Sequence, residues 1–208
     1  LSTISVVASE LKKELGQNEK FSKDIDLLIS QTARCSDILK KISSEPATRD
    51  NFFKKISLKD LLDEIARSFQ NTTSKEIKVI SKQNNNELKI DRSLEITYGL
   101  RNFIGNAVKF SKSYVKISLE VNEKFTEVKI IDDGPGFHED IIEILGEPYI
   151  KSQDAYFHDK SGLGLGTFIG KTLLTRKKAT INFSNCLDRS GAIVAIRWKT
   201  SLLQNINS

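Results

Sequence analysis

The sequence predicts an α+β protein. An α-helical hairpin over residues 1–45 precedes a two-layer α/β sandwich, residues 52–200, with helices on one face of a mixed sheet. Three observations predict it. Apolar residues up to Ile42 recur in steps of three and four, the polar proline-containing segment 43–51 breaks that pattern, and helix-period segments then mix with strictly alternating ones.

In the first segment Leu1, Ile4, Ala8, Leu11 and Leu15 make one stripe, and Ile25, Leu28, Thr32, Cys35, Leu39 and Ile42 make a second. Gly16-Gln17-Asn18 is the stop and turn between them. Two helices alone hide such stripes and their flanks (Val7, Leu27, Ile38) poorly, so a homodimeric four-helix bundle built from residues 1–45 is the expected completion. Residues 46–51 read as a linker and 201–208 as a tail. Beyond the linker, SLKDLLDEIARSF (57–69) reads as a helix capped by Ser57, IKVIS and ELKI as short strands around the turn NNN, and 92–110 as containing a long amphipathic helix. YVKISLEV with TEVKIID, and ATINFS with GAIVAIRW, read as antiparallel pairs with one face buried.

The 208 residues are 38% hydrophobic and 28% charged, enough for one full domain and a smaller element, and the composition excludes general disorder. A net charge of +5 comes from basic and acidic residues mixed along the chain, so no block builds the basic field of a nucleic-acid binder. Cys35 and Cys186 stand far apart with no metal-ligand spacing, which argues against zinc or a disulfide framework and fits a reducing compartment. No apolar run approaches the ~18 residues of a membrane span, so these residues are expected to be cytoplasmic. The chain starts at Leu1, so any membrane anchor is expected upstream.

Three stretches carry the chemistry. In LRNFIGNAVKF the apolar residues Leu100, Phe103, Ile104, Ala107 and Phe110 share one helix side, while Asn102, Asn106 and Lys109 share the other. Asparagine amides compete for backbone hydrogen bonds, so two on one stripe with a lysine suit a strip facing phosphate and Mg²⁺, although a solvated face has the same pattern. The strand VKII ends in Asp132, Asp133, Gly134, Pro135, Gly136 and Phe137. A carboxylate there can accept from an adenine amino group while glycine backbone passes close by; taken singly, the stretch reads as an acidic β-turn. In SGLGLGTFIGKTLL, Gly162, Gly164 and Gly166 alternate with Leu163 and Leu165 before Thr167, either as a flexible loop or as a phosphate cradle at a helix start.

In that order, Asn-x-x-x-Asn, Asp-x-Gly-x-Gly and Gly-x-Gly-x-Gly resemble the N, G1 and G2 boxes of the catalytic ATP-binding domain of sensor histidine kinases. That domain belongs to the Bergerat-type superfamily of gyrase B, HSP90 and MutL. LSTI, QTARCSDIL, LGEPYIKS and GLGLGTFIGKTLL are similar to redox-responsive kinases of the RegB/PrrB type. The resemblance implies ATP and Mg as cofactors, with Asn106 on Mg²⁺, Asn102 and Lys109 near the phosphates, and Asp132 on adenine. Gly134, Gly136, Gly162, Gly164 and Gly166 would shape the walls. It departs at Thr167, where an apolar residue is usual, and at RKKA (176–179), where a glycine-containing turn is usual.

The same resemblance places the phosphoacceptor His just upstream of Leu1 and implies a response-regulator receiver domain as partner, with membrane attachment only through upstream segments. His138 and His158 are expected in solvated or lid roles. Cys35 reads equally as a small buried hydrophobe and, by resemblance, as a redox-active thiol beside Arg34. A gyrase- or MutL-like ATPase would need a glutamate base where Asn102 stands, and an amide cannot serve as that base. A nucleotide-responsive dimeric scaffold stays open as the alternative from another class.

Overall fold

The computed structural model describes residues 2–15, 21–22, 25–26, 28–30, 32, 55–83, 88–147, 165–188 and 190–204. The chain divides into two compact units, Leu1–Asp50 and Asn51–Ser208. In the first, α1 (Ser2–Leu15) is followed by helical residues at 21–22, 25–26, 28–30 and 32. Lys12 pairs with Asp26 across these segments. Ala8, Ile25 and Thr32 are buried, whereas Val7, Leu11, Phe21 and Leu28 are exposed, so part of the apolar pattern lies on the outside of this unit.

The second unit contains β1 (Lys55–Ser57), α2 (Leu58–Gln70), β2 (Glu76–Gln83), β3 (Lys89–Asp91) and α3 (Leu94–Phe110). These are followed by β4 (Tyr114–Val121), β5 (Phe125–Asp132), the short α4 (Glu139–Ile142), α5 (Leu165–Arg176), β6 (Thr180–Asn185), β7 (Ala192–Lys199) and α6 (Thr200–Gln204). The main sheet has the order β2-β4-β5-β7-β6; β2 runs parallel to β4 and every other pairing is antiparallel.

The helices form for local reasons. Ser57 and Ser93 cap α2 and α3, accepting from Asp60 N at 3.3 Å and Ile96 N at 3.1 Å, which satisfies amides that have no partner inside the helix. Leu58, Leu61, Leu62, Ile65 and Ala66 fall on one side of α2, and all are buried. The strands turn alternate residues toward the helices: Ile117, Ile130 and Val194 lie opposite one another in register, as do Leu119, Val128 and Ile196. All six are buried in the core that includes Leu100, Phe103, Ile104 and Leu174.

Two details differ from the sequence pattern. The strands expected around the NNN turn belong to different sheets: β2 joins the main sheet beside β4, and β3 pairs antiparallel with β1. Ile90, opposite Ile56 in the β1–β3 pair, is buried in the same core that Ile77 and Val79 of β2 pack against. The RKKA turn closes α5 without glycine. Lys178 takes the left-handed conformation, φ 64°, while Ala179 N donates to Leu174 O at 3.0 Å and Lys178 N to Thr175 O at 2.8 Å. This is the Schellman pattern that glycine ordinarily serves.

Candidate functional site

The site starts from the way α3 meets α5. Gly99 on α3 and Gly170 on α5 lie where the helices touch: a Cβ on Gly99 would come within 2.5 Å of Leu174 Cγ, and one on Gly170 within 3.3 Å of the Gly99 carbonyl oxygen. Their lack of side chains lets the helices approach closely and brings the first turn of α5 onto the polar strip of α3. Asn106 Nδ2 donates to Thr167 Oγ1 at 3.2 Å, and Asn102 Nδ2 donates to the Tyr98 carbonyl oxygen at 2.8 Å. With both amide nitrogens engaged, the amide oxygens are left without a donor among the described residues. Asn106 Oδ1 and Asn102 Oδ1 lie 3.3 and 3.7 Å from the position a Gly166 Cβ would occupy. Asn106 Nδ2 lies 3.6 Å from the same point, so both side-chain amides border the first turn of α5, and their carbonyl oxygens are of the hard type that suits Mg²⁺, which takes few protein ligands and keeps waters or phosphate oxygens.

Lys109 lies on the same helix one turn beyond Asn106. Its side chain is exposed, with the ammonium 5.4 Å from the Phe110 ring centroid.

Asp132 ends β5 on the face turned toward the helices and is only 5% exposed. Its Oδ1 accepts from Gly134 N at 2.8 Å and Ala192 N at 3.2 Å. Burial pushes its carboxyl above the ordinary range, against the pull of those two amides. Neighbouring backbone is close: a Cβ on Gly134 would sit 2.5 Å from the Phe110 carbonyl oxygen, and one on Gly191 2.1 Å from the Asp132 carbonyl oxygen. The close backbone approach therefore requires glycine at both positions.

Asp133, the next residue, behaves in the opposite way. It accepts from Lys112 N, Ser113 N, Tyr114 N and the Ser113 hydroxyl, closing the turn between α3 and β4. These bonds outweigh its burial and hold its pKa down to about 2. Adjacent carboxylates thus differ: Asp132 is a buried acceptor with one oxygen tied to backbone, and Asp133 is a fastener.

Sequence reasoning missed Asn185 and Gly191. The Asn185 side chain accepts from Phe137 N at 2.6 Å and donates to the Phe137 carbonyl oxygen at 2.8 Å, clamping the loop after Gly136. Gly136 adopts φ 87°, and a Cβ there would meet Asn185 Oδ1 at 2.7 Å. Phe137 packs edge-on against Phe183, with centroids 5.8 Å apart. An asparagine at a strand end gives no local signal, because its partner lies 48 residues earlier; a glycine after a serine, as at 191, reads simply as a turn.

His138 caps α4, its Nδ1 accepting from Asp140 N at 3.4 Å. Gly162, Leu163, Gly164, Cys35 and His158 lie outside the described residues, as does the side chain of Leu165. Of the sequence-selected residues, the structure brings together Asn102, Asn106, Gly166 and Thr167 in one cluster, and Asp132 with Gly134 in another.

Residues 91–201 match the family model described as histidine kinase-, DNA gyrase B-, and HSP90-like ATPase. The chain is 33% identical over 222 residues to the sensor histidine kinase RegB of Cereibacter sphaeroides, covering 98% of this chain and 48% of that protein. It thus spans about half the length of that curated relative. Among solved structures, the mycobacterial sensor histidine kinase MprB aligns with a TM-score of 0.58 at 17% identity, covering 71% of this chain and 97% of that one. The catalytic domain of histidine kinase ThkA aligns with a TM-score of 0.57 at 18% identity, covering 71% and 97%. At such identities these structures show the shared fold.

Proposed function

Because the chain belongs to the family of histidine kinase-, DNA gyrase B-, and HSP90-like ATPases and carries the ATP-binding domain of a sensor histidine kinase family, we propose that it is the catalytic core of such a kinase. The reading is of a core that binds ATP with Mg²⁺ and passes the γ-phosphoryl group to a histidine preceding Leu1, from which it moves to an aspartate of a response-regulator receiver domain. The observation that carries this reading is the presence in one unit of a buried, strand-end Asp132 and of two α3 asparagine amides that both border Gly166 at the start of α5.

In this reading the Asp132 carboxylate accepts from the adenine amino group, and the glycine backbone at 134 and 136 passes close to the base. Asn106 holds the metal, with Asn102 and Lys109 toward the phosphates. The stretch 162–167 runs into the N-terminus of α5, where amide groups favour anionic oxygen. Bound Mg²⁺ supplies charge neutralisation at the phosphates. The chain's own residues position the nucleotide, which is most of what phosphoryl transfer asks of a protein. Asn102 cannot act as a general base toward water, which favours a kinase over a gyrase- or MutL-like ATPase.

Dimerisation through residues 1–45 is supported by the exposed apolar residues Val7, Leu11, Phe21 and Leu28; covering them with a second copy buries surface that the hairpin leaves in water. Redox responsiveness through Cys35 and membrane attachment through upstream segments complete the proposal. Among the described residues no helix is long and apolar enough to cross a membrane.

The test is labelling with γ-³²P-ATP. A chain extended upstream of Leu1 is expected to incorporate acid-labile phosphate, and residues 1–208 alone are not. Labelling of residues 1–208 alone would reassign the acceptor to this chain, and an extended chain that binds ATP without labelling would favour the scaffold.

A further inference from the structure

We infer that Thr167 is a positioning residue for the divalent metal, acting through Asn106; the inference rests on the proposal that Asn106 holds Mg²⁺. A side-chain amide has two unlike ends, and only its oxygen serves a hard cation. Asn102 engages its nitrogen locally, on the Tyr98 carbonyl oxygen one turn back. Asn106 engages its nitrogen across the helix interface, on the hydroxyl of Thr167, 61 residues away in sequence. In both, the nitrogen has a protein partner, which assigns the other end of the amide as oxygen, and both amides border the absent Cβ of Gly166, with Asn106 Oδ1 at 3.3 Å, Asn106 Nδ2 at 3.6 Å and Asn102 Oδ1 at 3.7 Å.

The residue types on α5 fit this role. Glycine at 166 leaves room for the oxygen pair, since a methyl group there would sit 3.3 Å from Asn106 Oδ1, tighter than ordinary contact. Thr167 follows at once, so the residue that makes space and the residue that holds the amide are neighbours on the first turn of α5. An apolar residue at 167 would fill the same volume yet remove the one acceptor that the Asn106 amide has among the described residues. The Thr167 hydroxyl therefore contributes orientation rather than packing, as outer partners of metal ligands commonly do. Because Thr167 belongs to α5 and Asn106 to α3, the bond also couples the start of the helix after the glycine stretch to the metal ligand.

The test measures ADP binding by calorimetry with Mg²⁺ and with EDTA, using the parent, Thr167→Val and Thr167→Ser. The readout is the affinity gain that Mg²⁺ confers. Valine keeps the branched shape and removes the hydroxyl; serine keeps the hydroxyl. Thr167→Val is expected to reduce the Mg²⁺ gain by about tenfold with affinity in EDTA unchanged, and Thr167→Ser to retain the parental gain. A Thr167→Val protein with the full parental gain, or one that loses affinity equally with and without metal, overturns the inference while leaving the function proposed above in place. A parent whose ADP affinity ignores Mg²⁺ overturns the metal role of Asn106, and this inference with it.

Discussion

Replacing Asp132 with asparagine separates what its carboxylate does for a nucleotide from what it does for the fold. The substitution is nearly isosteric, and the amide oxygen can still accept from Gly134 N and Ala192 N, so both backbone bonds survive. What disappears is a negative charge that burial already disfavours. A carboxyl whose folded pKa is raised above its unfolded value costs stability above that pKa and is relieved as pH falls through it. The free Asp132→Asn protein is therefore expected to melt at or above the parental temperature near neutral pH. A hydrogen bond from a neutral donor to a charged acceptor contributes about 1.5–3 kcal/mol, so ADP affinity is expected to fall roughly 10- to 100-fold. GDP, which presents a carbonyl oxygen in place of the amine, is expected to lose less, because the new amide can turn a donor toward it. Calorimetry with both nucleotides and thermal melts of the free protein read these effects independently. Parental ADP affinity in the variant would refute the assignment. A large fall in melting temperature with unchanged adenine selectivity would show the carboxylate to be a structural acceptor.

Asp133→Asn is expected to act oppositely. With its pKa held at about 2, Asp133 contributes fully above its unfolded value of 3.8 and loses that contribution as pH falls through about 2. Acid titration of stability should therefore show a loss on the order of 1 kcal/mol in the parent, after allowance for solvent screening, that the variant lacks. Lys178→Gly is expected to raise stability by about 0.5–1 kcal/mol in denaturant melts, since glycine adopts the left-handed cap without the penalty that a side chain carries. Asn185→Ala removes both bonds to the Phe137 backbone; it is expected to speed amide hydrogen exchange at Phe137 and weaken ADP binding severalfold, about 1 kcal/mol, and protection at Phe137 equal to the parent would show the clamp to be dispensable.

Much of this unit was legible where local chemistry decides structure. Ser57 caps α2 as its position suggests, β4 pairs with β5 and β6 with β7 as their alternation indicates, and the Asn102/Asn106 stripe faces Gly166 because helix spacing places it there. The illegible parts depend on partners distant in sequence. Nothing in IKVIS or ELKI tells that β2 pairs with residues 114–121 and β3 with residues 55–57, since strand propensity carries no address. The unlike roles of Asp132 and Asp133 are also hidden in the dipeptide: strand alternation turns one toward the core and leaves the other to collect the amides of residues 112–114. The Gly99–Gly170 approach that creates the site looks, in sequence, like two weak helix positions.

The most direct test of the central claim is calorimetric titration of residues 1–208 with ADP at fixed Mg²⁺, beside Asn106→Asp. The proposed function predicts saturable binding of one nucleotide per chain that strengthens with Mg²⁺. It predicts a marked loss in the variant, whose carboxylate alters the metal geometry and repels phosphate. No binding of adenine nucleotide by the parent, or equal binding by the parent and Asn106→Asp at every Mg²⁺ concentration, would contradict the account.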